Sequence, residues 1–595
     1  MRDTSRRLGL VLALSVVPVL VLEAFNRPSL TAVRSWVSGN PIEALLNVAI
    51  VVIASLLALA LTGRVRWALL SGVAIGLGVG SVHATKTAYL GKPLFPWDVL
   101  FYRETLALLP QLVTWPRLIA GLTAAALVAS VIARARRTTQ AALPLRTRLG
   151  VGAAAILGAV SLTTSLASLE RIGVKNLFWA QPENYQRNGL ALSLVFNVRS
   201  ALVVKPAGYG PKAVKTLAAS LPAVEADAGV QPTLLMLMSE SFMDPTVLPQ
   251  VNFLDDPVPN LHRLQRTARA GTLFSPVYGG GTANTEFEVL TGHSMRFLPL
   301  GSIPYQQYIR TPQPSLVRTV ARLGYATEAV HPFHRWFWER EQVYEHLGFA
   351  RFTSVEDMPG AFDQGPYPPD RLLTEHLLQA LARANGRPAF IFGVSVEAHG
   401  PYDVQRVATP RIRFEAPLDP IARNQLSTWV EAVHNADHEL GVLVDALERQ
   451  STPVVFVFFG DHQPSLPRVL RQLGVLASER IDAMTRAERW WAHQVPVVMW
   501  TNTSGSTEPI PTMSASLLAP WVLDAAGISS TPYDAFLRAV SARMPVALDR
   551  FVIDADGGVY ADAPPELAQM EEDWWLLEYD QLMGEQVLNS DPEGT

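Results

Sequence analysis

The 595-residue chain contains no cysteine, so no disulfide, thiolate metal ligand or cysteine nucleophile contributes to its stability or chemistry. Charged residues make up only 17% of the chain and almost balance, at a net charge of -4. The sequence shows no basic stripe of the kind that follows a nucleic acid backbone, so we expect no nucleic acid partner. Hydrophobic residues, by contrast, reach 49%, with a mean hydropathy of +0.17. These values are high for a soluble protein and indicate a membrane portion.

Long apolar runs are concentrated in residues 1–170. Five of them approach the ~20 residues that a helix needs to cross a bilayer. They cover residues 8–25, 42–62, 67–84, 117–135 and 149–168. The first run could instead be a cleaved signal peptide, but four more runs follow it and no clear small-residue cleavage site ends it. We predict an N-terminal five-helix transmembrane domain over residues 1–170.

Arginines collect before the first run, between the second and third, and between the fourth and fifth. They are Arg2, Arg6, Arg7, Arg64, Arg66, Arg134, Arg136, Arg137, Arg146 and Arg148. With five spans these segments all lie on one side, which the positive-inside rule makes cytoplasmic. We therefore expect a multi-pass protein of the inner (cytoplasmic) membrane whose large polar part is extracytoplasmic.

The polar part divides into three segments. Residues 171–229 mix aromatic, apolar and basic residues, which is typical either of an interfacial connector near lipid headgroups or of an ordinary linker. Residues 230–545 alternate strand-length apolar runs with helical patterns at 260–270, 372–384 and 426–450, which predicts a catalytic α/β domain. Residues 546–595 form a C-terminal extension, with an amphipathic helix expected over 571–586 and packed on the catalytic domain.

Three predicted strands, 233–238, 389–396 and 453–459, are almost continuously apolar, as in a mostly parallel sheet that is covered on both faces. Ser239-Glu240-Ser241 follows the first, Glu397-Ala398-His399-Gly400-Pro401-Tyr402 the second, and Gly460-Asp461-His462-Gln463 the third. Each segment alone could be a solvated loop. Because the carboxyl ends of parallel strands meet at one edge, where such sheets bind ligands, we expect Glu240, Asp461 and His462 to converge there. Two oxygen ligands and one nitrogen suit Mn²⁺, Mg²⁺ or Zn²⁺.

A candidate nucleophile lies in the segment Tyr278-Gly279-Gly280-Gly281-Thr282-Ala283-Asn284-Thr285-Glu286-Phe287. Glycines allow backbone N–H groups to approach an anion, and the start of the predicted helix favours negative charge. A flexible turn followed by a threonine N-cap is the plainer interpretation of this segment. Because the segment lies in the chain between the metal-ligand candidates, we favour the interpretation that the hydroxyl of Thr282 reacts.

Ser-Glu-Ser-Phe, Gly-Gly-Thr-Ala-Asn-Thr-Glu-Phe, His-Gly-Pro-Tyr and Gly-Asp-His, together with the apolar runs, resemble the lipoteichoic acid synthase and phosphoglycerol transferase family. That family belongs to the alkaline phosphatase and sulfatase superfamily. The resemblance extends to about residue 545 and implies an alkaline phosphatase/sulfatase-like catalytic domain. It also implies that Thr282 is both nucleophile and metal ligand, with Glu240, Asp461 and His462 completing the site around a divalent metal, for which we expect Mn²⁺.

The resemblance further implies a substrate pocket of His331, Trp338, Arg340 and His399, where arginine would clamp phosphate and tryptophan would pack against glycerol. Trp336 and Phe337, in the same aromatic segment, are interpreted as core packing. Two positions depart from the family. Phe333 stands where well-known members carry an acidic residue, and Gly281 stands where they often carry lysine. We therefore expect the headgroup or acceptor preference of this chain to differ from theirs.

The expected reaction is transfer of glycerophosphate from phosphatidylglycerol, or a similar anionic lipid, to a glycolipid, polyglycerolphosphate or glucan acceptor. One alternative is a phosphoethanolamine transferase or hydrolase of the same superfamily. A sulfatase is disfavoured because Thr282 and the residues after it do not match the formylglycine motif, and phosphoethanolamine transferases usually carry disulfides. A non-catalytic membrane protein that binds glycerophosphate is the third alternative, although no catalytic residue is missing.

Overall fold

The computed structural model describes residues 2–589, except 91–92, 102–140, 165–168, 170–171, 175, 177–180, 201–202, 222–230, 300, 364, 404–405, 407–408, 480–483, 504–505 and 530. The chain forms two compact units. The first comprises Met1–Val203 with Pro299–Gly301, and the second comprises Val204–Leu298 with Ser302–Thr595.

Helices dominate the described part of the first unit. Four stretches are long and apolar enough to cross a membrane: Arg6–Asn26, Pro41–Thr62, Val65–Ala88 and Leu145–Leu162. These stretches confirm four of the five predicted apolar runs. They indicate that the chain is a membrane protein. The fifth run, 117–135, lies outside the described residues. The helices of this unit are Arg2–Leu14, Val16–Asn26, Leu30–Gly39, Pro41–Thr62, Val65–Leu90, Leu145–Thr164, Gln181–Asn188 and Leu190–Ser200.

Arginines lie together at one end of these helices. Arg7 donates to the carbonyl of Ala141 at 2.7 Å, and the Nε of Arg148 donates to the carbonyl of Ala60 at 2.7 Å. The predicted clustering of basic residues on one side therefore agrees with the contacts of these two residues.

A buried polar cluster lies at the opposite ends of the spans, where two helices of the segment 171–229 pack against them. We call Glu23, Asn26, Arg27, Asn47 and Asn188 the membrane-unit cluster; all are buried. Glu23 forms an ion pair with Arg27 and accepts from the backbone N–H of Leu190 at 2.7 Å. Asn47 donates to the carbonyl of Asn188 at 2.6 Å. Residues 181–200 are thus held by side chains of the spans.

The second unit is built on an eight-stranded sheet. Its strands are β1 (Thr233–Ser239), β3 (Arg269–Phe274), β4 (Ala326–His331), β5 (Arg351–Ser354), β6 (Ala389–Val394), β8 (Val454–Gly460), β9 (Gln494–Thr501) and β10 (Met513–Ser514). A small pair is formed by β2 (Asn252–Phe253) and β7 (Phe414–Glu415), and a three-stranded sheet by β11 (Val546–Leu548), β12 (Phe551–Ile553) and β13 (Val559–Tyr560).

The order of the large sheet is β10-β3-β9-β8-β1-β6-β4-β5. β1 pairs in parallel with both β6 and β8, and β9 is antiparallel to its two neighbours. Every residue of β1, β6 and β8 is buried. The three predicted strands and the mostly parallel α/β sheet are therefore confirmed, and β1 and β8 end beside each other.

The α-helices of the second unit cover the sheet and connect its strands. They are Pro211–Ala218, Pro259–Thr267, Thr282–Thr291, Pro304–Gln307, Leu316–Arg322, Arg340–Leu347, Asp370–Ala384, Pro420–Glu448, Pro467–Gln472, Arg486–Ala492, Leu518–Ala525, Pro532–Arg543 and Pro565–Met583. The helix expected over 260–270 ends at Thr267, because β3 starts two residues later and pairs with β9.

The C-terminal helix Pro565–Met583 includes most of the predicted span 571–586. Trp574 on this helix is completely buried and packs edge-on against Phe297 at 5.3 Å. Glu578 on the same helix accepts from the backbone N–H of Ser294 at 2.7 Å. This helix therefore packs on the second unit close to the C-terminal end of helix Thr282–Thr291.

Candidate functional site

The register of the sheet brings the ends of β1 and β8 together. Ser239 lies opposite Gly460, and the backbone N–H of Asp461 donates to the carbonyl of Ser239 at 3.0 Å. The next residues, Glu240 and Asp461, therefore leave the same edge of the sheet as neighbours, as the sequence predicted.

We call Glu240, Asp461 and His462 the acidic cluster. Their possible ligand atoms all lie within 4.8 Å of one another, and the three side chains are buried. Nε2 of His462 is 3.3 Å from Oδ2 of Asp461 and 3.7 Å from Oε1 of Glu240. Among the residues that the structure describes, this is the one place where three or more side chains of the metal-ligating types come this close.

Hydrogen bonds fix the orientation of the cluster. The backbone N–H groups of Ser241 and His462 both donate to Oδ1 of Asp461 at 2.7 Å. Nδ1 of His462 lies 2.9 Å from the carbonyl of Gln463. If Nδ1 donates this bond, the lone pair of Nε2 faces the two carboxylates, which is the arrangement of a metal-ligating histidine.

The charges of the cluster suit a divalent cation. Burial, and then the negative charge of Glu240, raise the pKa of Asp461 well above its usual range. Two buried carboxylates side by side repel each other and are poorly solvated, so a bound cation would stabilise their ionised forms. The residues therefore fit a metal with oxygen and nitrogen ligands.

Thr282 occupies the first turn of helix Thr282–Thr291, directly after three glycines. Gly279, Gly280 and Gly281 have φ values of 68°, 144° and 103°, a region that side chains with a Cβ rarely adopt. The turn brings the Thr282 hydroxyl to the cluster, where it donates to Oε2 of Glu240 at 3.1 Å. Thr282 is buried, with 8% exposure. The four residues expected at the metal and nucleophile site are thus together.

The same helix is attached to the end of β8 by a second hydroxyl. Thr285 donates to the carbonyl of Asp461 at 2.9 Å, and Ser275 donates to that carbonyl at 2.6 Å. Every residue of the helix is buried. The position of Thr282 is therefore set both by the glycine turn and by contacts one turn further along.

Of the predicted pocket residues, three lie at or after the end of β4. His331 is the last residue of that strand, is buried, and its Nδ1 lies 2.9 Å from the carbonyl of Val394. Burial, and then the positive charge of Arg340, hold the pKa of His331 well below its usual range. Trp338 is half-buried and has a left-handed backbone, with φ at 60°.

Arg340 is 1% exposed and is bound by Glu286, a residue that the sequence did not single out. Its Nε lies 3.1 Å from Oε1 of Glu286, and its Nη2 lies 2.5 Å from the same oxygen. Tyr344 donates to the other carboxylate oxygen at 2.7 Å. Glu286 lies four residues after Thr282, on the same helix. The signal in the sequence that could have indicated Glu286 is its position, a carboxylate one helical turn after the nucleophile candidate.

His399 differs from the other pocket candidates because it is exposed. Its Nδ1 lies 3.0 Å from the hydroxyl of Tyr367, and the two ring centroids are 5.0 Å apart. The guanidinium of Arg406 lies 5.0 Å above the ring of Tyr367 and donates to the carbonyl of Pro401 at 2.9 Å. Tyr367 and Arg406 stand outside the sequence motifs, which gave no signal for either.

Trp336 and Phe337, expected in the core, are only half-buried. The residues between β4 and the left-handed turn at Trp338 and Glu339 are all partly exposed from Phe333 onward. The interpretation as core packing is therefore incorrect for these two rings.

Comparison with known proteins gives the context of this site. A family model described as Sulfatase matches residues 232–528. A "Putative cyclic beta-1,2-glucan modification protein" of Rhizobium meliloti (strain 1021) is 34% identical over 593 residues, which cover 96% of this chain and 91% of that protein. A "Capsular polysaccharide biosynthesis protein RkpI" of the same strain is 29% identical over 245 residues, 40% of this chain and 42% of that protein.

A solved structure has a similar catalytic fold. It is described as "Streptococcus pyogenes phosphoglycerol transferase GacH in complex with sn-glycerol-1-phosphate", with a TM-score of 0.53 and 21% identity. The match covers 65% of this chain and 97% of that one. The chain belongs to the sulfatase family.

Proposed function

We propose that this protein is a metal-dependent phosphoglycerol transferase that works through a phospho-threonine intermediate. Its donor is phosphatidylglycerol or a similar anionic lipid, and its acceptor is a hydroxyl of a glycolipid, a polyglycerolphosphate chain or a glucan. The observation that carries the proposal is the hydroxyl of Thr282, which begins a buried helix and lies 3.1 Å from Oε2 of Glu240 in the acidic cluster. A hydroxyl held in this way suits nucleophilic attack on a phosphate ester.

Glu240, Asp461 and His462 would hold the metal, with the Thr282 oxygen as a further ligand. We propose Mn²⁺, with Mg²⁺ and Zn²⁺ as alternatives, because all three accept oxygen and nitrogen ligands. When bound, such a cation lowers the pKa of the hydroxyl it contacts and offsets negative charge on the phosphate.

In the first step, the Oγ1 of Thr282 forms a bond to the phosphorus of the donor, and the bond between phosphorus and the diacylglycerol oxygen breaks. Thr282 loses one proton and the departing diacylglycerol takes up one, so the step is balanced. Glycerophosphate is then esterified to Thr282. Thr282 lies at the start of the helix, where the helix dipole favours negative charge.

In the second step, an acceptor hydroxyl attacks the same phosphorus from the opposite side and releases Thr282. The acceptor loses the proton that Thr282 regains. We assign the contacts with the transferred group to His331, Trp338, Arg340 and His399. Arg340 would donate a hydrogen bond to the phosphate from a position set by Glu286.

The relatives support the class of substrates. The description of the Rhizobium relative names a cyclic glucan, and that of the structural neighbour names phosphoglycerol transfer. The apolar helices of the first unit would place the enzyme in the membrane that contains its lipid donor, which raises the effective concentration of the donor. From the arginine distribution we propose the inner membrane, with the second unit extracytoplasmic.

Mass spectrometry of the full-length protein tests this proposal. Purified protein with Mn²⁺ and phosphatidylglycerol should gain the mass of glycerophosphate on the peptide that contains Thr282, and should release diacylglycerol. Thr282→Ala should lose both signals, whereas Thr282→Ser keeps a hydroxyl and should retain a measurable adduct.

Other outcomes select other functions. An adduct that forms only with phosphatidylethanolamine would replace the proposal with phosphoethanolamine transfer. Diacylglycerol release that is equal in wild type and Thr282→Ala would exclude Thr282 as the nucleophile. Metal binding with neither product from either lipid would favour the non-catalytic alternative.

A further inference from the structure

Aromatic rings form a continuous path from the proposed pocket to the surface. We call Phe333, His334, Trp336, Phe337 and Phe362 the aromatic strip. Phe333 lies 6.2 Å from His331 and 5.1 Å from Phe337, measured between ring centroids. Phe337 in turn lies 5.1 Å from Trp338. The inner end of the strip therefore contacts two residues of the proposed pocket.

The outer end of the strip is stacked and open to solvent. The ring of His334 is nearly parallel to Trp336, at 5.3 Å and 16°, and to Phe362 on the other side, at 5.8 Å and 27°. Phe362 is 41% exposed, more than any other phenylalanine, tyrosine or tryptophan side chain that the structure describes. Exposed aromatic surface that is contiguous with a pocket is typical of a binding site.

Carboxylates border the strip around Arg335. Asp357 lies 3.0 Å from Arg335, Glu341 3.5 Å and Glu356 3.6 Å. Glu356 also lies 3.0 Å from Nδ1 of His334. This border repels polyanions, and its carboxylates accept hydrogen bonds from hydroxyl groups.

We propose that the aromatic strip binds the sugar rings of an uncharged glucan, the acceptor in the transfer reaction. This inference rests on the proposed function, and it selects one of the three acceptor classes. A sugar ring has a face of C–H groups that packs on an aromatic ring, because both surfaces leave water on contact. Its peripheral hydroxyls would reach the bordering carboxylates. Sugars bound along the strip would lead a terminal hydroxyl toward His331 and Trp338.

Polyglycerolphosphate and an anionic lipid surface fit this strip less well. Each carries repeated negative charge, and each would have to approach three carboxylates that surround a single guanidinium. The substitution of Phe333 for the acidic residue of well-known family members extends apolar surface into the pocket end of the strip. That change also favours a C–H face over a charged group.

Binding of a neutral cyclic β-glucan to the full-length protein tests the inference without requiring turnover. Calorimetry should be carried out in a detergent that has no sugar headgroup. We expect wild type to bind the glucan and Trp336→Ala and Phe362→Ala to bind it about 10-fold more weakly or worse, a loss of about 1.4 kcal/mol. Phe362→Tyr keeps the ring and should bind like wild type. Trp521→Ala, which removes another half-buried tryptophan of the second unit, is the matched control and should have no effect.

Three outcomes would overturn the inference. They are no glucan binding by wild type, equal binding by wild type and both alanine variants, or binding of polyglycerolphosphate or phosphatidylglycerol vesicles that depends on Trp336 in place of glucan binding. The Thr282 adduct is measured separately. An adduct without strip-dependent glucan binding would leave the proposed function intact and remove this inference. Strip-dependent glucan binding without an adduct would keep the glucan site and remove the proposed transfer reaction.

Discussion

Two buried polar clusters, one in each unit, differ in the balance of their charges. In the membrane-unit cluster, the carboxylate of Glu23 is paired with Arg27, and its remaining capacity is used by the backbone N–H of Leu190. In the acidic cluster, Glu240 and Asp461 are adjacent, and the third member is a histidine. Burial of polar groups is common to both. The excess of negative charge distinguishes the acidic cluster, and a bound cation would balance it.

The comparison shows how a functional site differs from a structural one at similar burial. A buried charged group is tolerated when it is paired, and the membrane-unit cluster meets that condition because Glu23 pairs with Arg27. The acidic cluster does not balance its charge with its own residues, since neither carboxylate has a lysine or arginine partner in the structure described here. We infer that the balance is supplied by a ligand.

Removing one carboxylate from the acidic cluster should give the largest effect. Asp461→Asn removes a carboxylate that we propose binds the metal, so we expect metal content near zero and a fall in transfer of roughly 10³-fold. In EDTA the same variant should unfold at a higher temperature than wild type, because one of two repelling buried carboxylates is gone. Metal analysis and thermal unfolding with and without EDTA measure both effects.

Asp437→Asn is the matched control. Asp437 is also completely buried, but its oxygens accept from the backbone N–H groups of Asn260 and Leu261 at 2.9 Å and 2.7 Å. Its substitution should lower stability and leave the metal content unchanged. Equal metal content in wild type and Asp461→Asn would refute the assignment of the site, and with it the contrast between the two clusters.

The pair of Glu286 and Arg340 tests whether charge balance or position near the site decides the behaviour of a buried carboxylate. This pair adjoins the nucleophile helix, yet it is balanced like the membrane-unit cluster. Glu286→Gln leaves a buried guanidinium without its counter-charge, so the free energy of unfolding should fall by about 3–5 kcal/mol. EDTA should not change that loss. The measurement is denaturant unfolding of the full-length protein, followed by a spectroscopic signal from the second unit.

A double variant separates pairing from packing. Arg340→Met combined with Glu286→Gln removes both charges, and it should recover part of the stability lost by Glu286→Gln alone. It should not recover transfer, because Arg340 is assigned to the substrate pocket. If the loss of stability in the double variant equals the sum of the losses in Glu286→Gln and Arg340→Met, the two side chains do not act as a pair.

The acidic cluster was predictable from the sequence because its members directly follow strands. Once β1 and β8 are recognised as parallel neighbours, the residues that follow them must meet at one edge, and only the register remained to be determined. The partnership of Glu286 and Arg340 was not predictable in the same way. It joins residues 54 positions apart through a helix whose orientation depends on packing. For the same reason, the exposure of Trp336 and Phe337 could not be inferred from their hydrophobicity.

Glycine substitutions probe how tightly the backbone approaches each cluster. Gly189 has φ at 83°, and a Cβ there would lie 2.7 Å from Nδ2 of Asn47 and 2.8 Å from Oε1 of Glu23. Gly189→Ala should therefore separate residues 181–200 from the spans and lower stability by about 3 kcal/mol. Gly173→Ala is the control, because its φ of 88° is similar and no neighbour among the described residues lies within 4 Å. Thermal unfolding in detergent should show a clearly smaller loss for the control, and equal losses would contradict the role of the cluster.

The corresponding glycine at the acidic cluster should affect activity more than stability. Gly281 has φ at 103°, and a Cβ there would lie 3.1 Å from Cγ1 of Val277, so alanine costs about 1–2 kcal/mol in backbone strain. A small displacement of the next residue moves the Thr282 hydroxyl away from Glu240, and we expect about 10-fold slower adduct formation with an unchanged metal content. Gly324→Ala, with φ at 87° and open space around it, should carry a comparable strain and form the adduct at the wild-type rate. If both variants slow the reaction equally, general strain accounts for the effect and the glycine turn has no special role in placing Thr282. If only Gly281→Ala is slow, the two clusters differ in a second respect. Close backbone approach at Gly189 stabilises the membrane-unit cluster, whereas the glycine turn at Gly281 positions a reacting group at the acidic cluster.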